Sequence, residues 1–295
     1  MSSTEDQMLR FMFDDTDIRG EIVKLDHTFQ EVLSHNALPS VVETLLGEFL
    51  AAASLMSSTL KFDGIITVQA RGEGPLPLIM AECDHHKGLR GIAQTDDNAD
   101  FDALSDANIK TLLGKGVLVI TIDPDQGQRY QGIVPLDADT LAGCLEHYFT
   151  QSEQLETRFW IEAKGQKAAA LMIQALPAQT QNDSEARRES WQTLCTLGDT
   201  VTGEELLELE QETLLYRLFH EQQVRLFAAV PVRFSCSCSR QRSADSLSSL
   251  GPAEVESLIA EQGHISVDCQ FCNQQYMFGP EHMAELFGDD SHLIH

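Results

Sequence analysis

The chain has 295 residues, 42% of them hydrophobic, and acidic residues outnumber basic ones 46 to 20, giving a formal net charge of −26. The hydrophobic content is typical of globular proteins and excludes wholesale disorder. The charge argues against nucleic-acid binding, because affinity for phosphate backbones comes largely from Lys and Arg. The N-terminal MSSTEDQMLRFMFDD carries acidic residues before any apolar run, so we expect no secretory signal and a cytoplasmic location.

The first half of the chain mixes strand and helix patterns. GEIVKLDHTF predicts a strand, and Pro39 to Leu60 predicts a helix with Pro at its start. Because Glu43 and Glu48 interrupt its apolar residues, we interpret this helix as a core helix and not as a membrane span. Gly and Pro then separate short runs typical of an antiparallel meander. The predicted strands here are GIITVQARGEG, PLPLIMAECD and KGLRGIAQT, followed by the pair GVLVITID and YQGIVPL.

A helix over about 139–151 is predicted next, and TRFWIEA and AAALMIQAL then predict two further strands. Because helices do not alternate regularly with the strands, the pattern favours an α+β fold with antiparallel sheets. The polar run AQTQNDSEARRE marks a boundary, so we assign residues 1–178 to an N-terminal α+β core domain.

Residues 179–235 are predicted to form a helical linker. The stretch from Ala186 to Gln223 reads as two or more helices with a break at Gly198, and VRLFAAVPVRF reads as a strand leading out of it. Leu207, Leu214 and Leu218 lie on one side of the second helical part, among many Glu residues. A stripe of this kind must pack on the N-terminal domain, on a second copy or on another partner.

Four of the seven cysteines lie in residues 236–295, which we assign to a small C-terminal module. Cys236 and Cys238 form a CxC pair, and Cys269 and Cys272 form a CxxC pair thirty residues later. Four thiolates with such spacing predict one tetrahedral zinc ion. A closed set of four ligands leaves no position for a substrate, so the metal role is structural or redox, not hydrolytic.

On spacing alone, a purely structural zinc site is the main alternative to a switch. The module has fewer than sixty other residues and few large apolar side chains, so we expect it to depend on its metal. Zinc keeps sulfurs as thiolates, the form that oxidants attack. Each close pair, Cys236 with Cys238 and Cys269 with Cys272, can then close a local disulfide, and zinc loss would unfold the module.

Several stretches together resemble the redox-regulated 33 kDa heat-shock chaperone family. They are QRYQGIVPL, LAGCLEHYF with SEQLETR, YRLFHE, FSCSCSR and AEQGHISVDCQFCNQQYMF. The resemblance covers essentially the whole chain, in matching order and spacing. The CxC and CxxC pairs of the family fall on Cys236, Cys238, Cys269 and Cys272.

The resemblance implies an ATP-independent holdase that is inactive when reduced and zinc-bound. Oxidation in the family releases zinc, forms disulfides between near neighbours, and unfolds the zinc module with the preceding linker. Apolar surface then binds unfolding clients, active forms commonly dimerise, and clients pass to ATP-driven refolding chaperones. On this reading Leu207, Leu214 and Leu218 are candidate client-binding residues.

Two other functions remain to be weighed. A zinc-ribbon nucleic-acid-binding protein is the principal alternative, but residues 236–295 carry two basic residues against nine acidic ones. An enzyme in the N-terminal domain is the second, although P-loop, GxSxG, HExxH and dinucleotide motifs are absent from the sequence. We therefore predict that the protein is not an enzyme. The remaining cysteines, Cys83, Cys144 and Cys195, are expected to be buried and to pack as small hydrophobic side chains.

Overall fold

Strands and helices alternate irregularly along the chain in this computed structural model, which describes residues 6–58, 63–180 and 183–288. The strands are β1 (Gln7–Phe13), β2 (Ile18–Leu25), β3 (Gly64–Gly72), β4 (Leu78–Asp84), β5 (Gly88–Gln94), β6 (Gly116–Pro124), β7 (Tyr130–Pro135), β8 (Thr157–Lys164), β9 (Lys167–Ala175), β10 (Val224–Leu226), β11 (Val230–Pro231), β12 (Arg233–Phe234), β13 (Ile265–Asp268) and β14 (Gln275–Phe278). The helices are α1 (His27–Ser34), α2 (Ser40–Ser57), α3 (Ile109–Leu113), α4 (Leu141–Tyr148), α5 (Ser184–Gly198), α6 (Gly203–Glu208), α7 (Gln211–Phe219), α8 (Arg240–Ser248), α9 (Pro252–Gln262) and α10 (Met283–Phe287). Short 3-10 turns at Asp102–Leu104 and Pro280–His282 and a π-helical turn at Phe149–Glu153 complete these elements.

Most of the strands belong to two six-stranded sheets. Sheet A has the order β10-β1-β2-β9-β8, with β11 also paired to β1, and sheet B has the order β12-β5-β4-β3-β6-β7. Neighbouring strands are antiparallel, except that β12 runs parallel to β5. The predicted meander and the predicted strand pair are thus β3-β4-β5 and β6-β7. The α+β class with antiparallel sheets is confirmed.

Helix α2 fills the space between the two sheets. It packs against β2, β8 and β9 of sheet A and against β3, β4 and β5 of sheet B. Leu46, Phe49 and Leu50 are fully buried in this layer. The helix is long and apolar enough to cross a membrane by length and composition alone, but most of its side chains are covered by strands, as in a core helix. It ends at Ser57, and residues 59–60 of the predicted helix lie outside the described ranges.

Helices α5, α6 and α7 cover the other face of sheet A. The alternation along β1 directs Leu9, Phe11 and Phe13 to this face, where they join a second apolar cluster. Phe219 of α7 packs edge-on against Phe13 with ring centroids 5.0 Å apart. Buried side chains from all three helices complete the cluster, Leu194, Leu206, Leu214, Leu215 and Leu218. The prediction of two or more helices with a break at Gly198 is confirmed.

Two predicted strands are wrong in extent. The strand predicted in GEIVKLDHTF ends at Leu25, and helix α1 begins directly after it. The cause is the Asp6 carboxylate, which accepts hydrogen bonds from the backbone N–H groups of residues 26–28, the shortest from Thr28 at 2.6 Å, and so caps α1. VRLFAAVPVRF forms three short strands, since β10 and β11 pair with β1 whereas β12 crosses to β5. Pro231, which lacks an N–H, stands at that crossing. The predicted 139–151 helix is α4 plus the π-helical turn.

The chain divides into two compact units, Met1–Ser235 and Cys236–His295. The second unit consists of the β13-β14 hairpin and helices α8, α9 and α10. Within residues 236–288, its core has seven buried apolar residues, Ala244, Leu247, Val255, Ile259, Ile265, Phe278 and Leu286. A core of this size is too small to stabilise a unit of sixty residues by burial alone.

Candidate metal centre

Two separate segments of the second unit carry the four cysteines. Cys236 and Cys238 precede α8, whose N-cap Ser239 accepts a hydrogen bond from the Arg242 backbone N–H. The side chain of Arg242 turns back and donates to the Ser237 carbonyl at 2.9 Å. The CxC segment is therefore fastened to the first turn of α8.

The CxxC pair lies in the turn of the β13-β14 hairpin. The Cys269 N–H donates to the Gln274 carbonyl at 2.9 Å, and the Asn273 N–H donates to the Cys269 carbonyl at 2.8 Å. Asn273 has a φ of 55°, a left-handed conformation that Asn tolerates better than most residues. This tight turn brings Cys272 back beside Cys269.

The four sulfur atoms converge on one point. The Sγ atoms of Cys236 and Cys269 are 3.6 Å apart, those of Cys238 and Cys272 are 3.4 Å apart, and all four lie within 4.8 Å of one another. A tetrahedral ion with bonds of about 2.3 Å to sulfur requires neighbouring sulfurs about 3.8 Å apart. Four half-buried thiols with this spacing can hold one metal ion and are compatible with zinc.

The electrostatics of the cluster favour a cation. Burial raises the pKa of the Cys272 thiol, and hydrogen bonds with the other three cysteines raise it further, against a lowering hydrogen bond from the Gln274 backbone. Thiolates this close repel one another, so the four sulfurs cannot all be ionised without a positive charge between them. A divalent ion reverses this balance and deprotonates its thiol ligands.

Tyr276 adds a hydrogen bond that the sequence analysis missed. Its hydroxyl donates to Cys238 Sγ at 3.2 Å, and this bond is the main cause that raises the pKa of Tyr276 to about 12. The signal in the sequence is an aromatic residue in β14, four positions after Cys272. A hydrogen bond to a ligand sulfur orients it and stabilises its negative charge.

Arg240 ties the ends of the module together. Its guanidinium donates to the Glu285 carboxylate at 2.9 and 3.1 Å, donates to the Met277 carbonyl at 3.0 Å, and lies 4.4 Å from the centre of the Phe278 ring. With Arg242 bonded to the CxC segment, both basic residues of the module make structural contacts. Arg240 is paired with a carboxylate, whereas Arg242 is exposed and bonds to the neutral oxygens of Ser237.

The other three cysteines lie in the first unit. Cys83 and Cys144 are fully buried, and Cys195 is half-buried against the cluster beneath α5. Burial raises the pKa of Cys83 to about 11 and that of Cys195 to about 12. These thiols are poor nucleophiles, as expected for cysteines that act as small hydrophobes.

The three candidate client-binding leucines are covered in this structure. Leu214 and Leu218 of α7 are buried with exposed fractions of 0% and 3%, and Leu207 of α6 is half-buried against the same cluster. They face sheet A together with the aromatic side chains of β1. Any contact between these residues and another protein would first require α6 and α7 to leave sheet A.

Comparison with known proteins identifies the family. The family model described as Hsp33 protein matches residues 6–279. The 33 kDa chaperonin of Pseudomonas aeruginosa strain LESB58 is 53% identical over 289 residues, covering 97% of this chain and 95% of that protein. The 33 kDa chaperonin of Ectopseudomonas mendocina strain ymp is 53% identical over 279 residues, covering 94% of each.

A solved structure has the same fold. The crystal structure of the 33 kDa chaperonin, a heat shock protein 33 homologue, from Thermotoga maritima superposes with a TM-score of 0.80 at 23% identity and covers 95% of this chain and 97% of that one. The sequence resemblance to the heat-shock chaperones is confirmed by these matches. The chain, with its CxC and CxxC cluster, belongs to the Hsp33 family of 33 kDa chaperonins.

Proposed function

We propose that this protein is a redox-regulated, ATP-independent holdase, and not an enzyme, whose activity is controlled by one zinc ion. The observation that carries the proposal is the convergence of four thiols, within 4.8 Å of one another, in a unit whose described residues include only seven buried apolar ones in the core. Zinc bound to Cys236, Cys238, Cys269 and Cys272 would supply the cross-link that this core lacks. Apparent zinc-binding energies of about 10–16 kcal/mol exceed what such a core contributes.

Oxidation removes the ligands. Each pair of thiolates gives two electrons to a peroxide or to hypochlorite and forms one S–S bond, and the oxidant takes two protons from solvent and is reduced to water, or to chloride and water. With two disulfides formed, the four cysteines would no longer supply the negative charges that bind a cation, and zinc would be released. The two disulfides that we propose join Cys236 to Cys238 and Cys269 to Cys272.

The pairing decides whether the module unfolds. The sulfurs at 3.4 and 3.6 Å belong to different segments, so disulfides between Cys236 and Cys269 or between Cys238 and Cys272 would keep both segments joined, as zinc does. Local disulfides close only very short loops and constrain little of the unfolded chain. Release of the metal therefore unfolds the module only when the bridges are local.

The segment that oxidation would release is the linker, residues 179–235. Its helices α5, α6 and α7 cover the face of sheet A that carries Leu9, Phe11 and Phe13. Their departure would expose apolar surface on the sheet and on the helices themselves, including Leu207, Leu214 and Leu218. Large exposed apolar patches bind unfolded chains, and the net charge of −26 would keep the opened protein soluble.

This proposal assigns three functional parts to the chain, residues 1–178 as the core domain, 179–235 as the linker and 236–295 as the switch. The partners are unfolded client proteins, a second copy in the active form, and ATP-driven refolding chaperones that accept clients after reduction. The location is the cytoplasm. The proposal includes neither nucleic acid nor membrane as a partner, since residues 236–295 carry two basic residues against nine acidic ones and α2 is a core helix.

The test compares suppression of client aggregation by the reduced protein and by protein treated with peroxide under mild heat. We expect suppression only after oxidation, and its reversal by dithiothreitol together with zinc. Equal activity of the two forms would contradict the proposal, as would catalytic turnover that persists when Cys236→Ser and Cys269→Ser are combined.

A further inference from the structure

The N-terminal unit contains a cavity of about 740 Å³. Its walls come from α2, the 101–109 segment, the start of α4, β8 and α6. The volume lies within the range of small-molecule sites, which are mostly apolar with a few polar groups. The apolar part of the wall includes Leu45, Phe101, Leu141, Phe159, Trp160 and Leu206.

The charge of this cavity is one-sided. Five carboxyl side chains line it, Glu48, Asp102, Asp106, Asp139 and Glu162, and no Lys, Arg or His does so among the described residues. The three aspartates are exposed, and Asp139 pairs with Lys110 at 3.3 Å. Glu48 and Glu162 are less accessible, and within the described ranges neither carboxyl makes a hydrogen bond or an ion pair.

These two carboxyls lack compensation for the water they have lost. Burial raises the pKa of Glu48 to about 8, and the nearby Glu162 carboxyl adds to the increase. Burial also raises the pKa of Glu162, against a lowering contribution from Lys164. A carboxyl in apolar surroundings normally has a hydrogen-bond or charge partner, because leaving it unpaired is costly.

We propose that the cavity binds a small amphiphilic cation, an apolar body that carries a protonated amine. The amine would lie beside the Glu48 and Glu162 carboxyls and donate hydrogen bonds to them, while the apolar body packs on Leu45, Phe159 and neighbouring side chains. An anion would be disfavoured, because five carboxyl side chains and no basic side chain of the described residues line the cavity. A neutral apolar ligand fills the volume but leaves both carboxyls uncompensated.

Helix α6 connects this site to the proposed function. Val201, Thr202, Gly203 and Leu206 form one wall of the cavity, and Gly203 allows the Glu162 carboxylate to lie closer than a Cβ atom would permit. This step rests on the proposed release of the linker. The reduced form should bind the cation, and the oxidised form should lose the wall and the binding with it.

Calorimetry on the reduced full-length protein tests the site with three probes that share one phenylbutyl body, phenylbutylammonium, phenylbutanol and phenylpentanoate. We expect the ammonium to bind about tenfold or more tightly than the alcohol, as charge-assisted hydrogen bonds imply, and the carboxylate not to bind. Glu48→Gln and Glu162→Gln should each reduce the ammonium affinity towards that of the alcohol. Glu73→Gln removes an exposed carboxyl outside the cavity and should change nothing.

A second readout does not depend on the variants. Because burial raises the pKa of Glu48 to about 8, binding of an ammonium near pH 7 should release a proton from this carboxyl, seen as a binding enthalpy that varies with the ionisation enthalpy of the buffer. Equal affinities for ammonium and alcohol would overturn the site, and so would an ammonium affinity that both Glu48→Gln and Glu162→Gln leave unchanged. If the reduced and oxidised proteins bind the ammonium equally, the result supports the cavity as a cation site and refutes the release of the linker on oxidation.

Discussion

Replacing Leu214 by Ala should activate the protein without oxidation. Leu214 lies on α7, has an exposed fraction of 0%, and packs in the cluster that α5–α7 form with sheet A. Removing a buried leucine side chain costs about 2–5 kcal/mol, the transfer energy of the lost atoms plus the energy of the cavity left behind. The loss falls on the contact between α7 and the sheet.

That cost shifts the equilibrium between covered and open linker. By the relation of about 1.4 kcal/mol per factor of ten, the open fraction rises roughly 30-fold at the lower limit and several thousandfold at the upper one. Helices on one face of a sheet open locally at lower free energy than the central strands. The reduced variant should therefore expose the apolar surface of Phe11 and Phe13, which remains available to clients although Leu214 is removed, without unfolding sheet B.

The assay measures suppression of client aggregation by the reduced, zinc-loaded variant, with proteolysis of the linker as a second readout. Tyr216→Ala is the matched control, because Tyr216 lies on the same helix with an exposed fraction of 73% and should change stability by no more than about 0.5 kcal/mol. Higher activity and faster linker cleavage for Leu214→Ala alone would agree with the reasoning. Equal behaviour of the two variants, or melting of the whole N-terminal unit, would refute it.

Three further predictions concern the metal, the disulfides and a buried carboxyl. Cys269→Ser should remove one of four ligands, lower the zinc content below one ion per chain by metal analysis, and make the protein active as a holdase even when reduced. Peptide mapping after oxidation should find disulfides from Cys236 to Cys238 and from Cys269 to Cys272. Burial raises the pKa of Glu48 from 4.5 to about 8, so between these values the carboxyl is ionised in the unfolded state and protonated in the folded state. The free energy of unfolding should therefore decline as pH rises through this interval. Glu48→Gln should flatten that decline in urea titrations.

Each of these predictions has a control or a contradicting result. Cys195→Ser removes a cysteine outside the cluster and should retain zinc. Disulfides between the CxC and CxxC segments would contradict the unfolding step, since they would keep the module closed. A free energy of unfolding that declines equally with pH in wild type and Glu48→Gln would show that this carboxyl is ionised in the folded state.

Sequence patterns correctly predicted the strands and helices whose type and ends depend on residues within or next to the element. The β3-β4-β5 meander has alternating apolar residues between Gly and Pro turns, and α5 begins at an Asp183 N-cap that the polar boundary contains. Helix α1 was missed because its cap is the Asp6 carboxylate, about twenty positions earlier. Where a helix begins can depend on a contact with a distant segment, and the periodicity of the local sequence carries no information on such contacts.

The same distinction applies to the candidate site. The four cysteines were predictable because two short spacings in one small region are typical of a metal cluster. Tyr276 was not, since its hydrogen bond to Cys238 depends on how the hairpin faces the CxC segment. The Glu48 carboxyl was also missed, because in the sequence it only interrupts an apolar helix, and its neighbour Glu162 comes from a strand more than a hundred residues later.

Hydrogen exchange followed before and after oxidation tests the central claim, that loss of the metal uncovers sheet A. The account predicts that zinc release coincides with loss of amide protection in α7 (Gln211–Phe219) and with the onset of holdase activity, while β3 and β4 of sheet B stay protected. Holdase activity that appears while α7 keeps its protection would contradict the account.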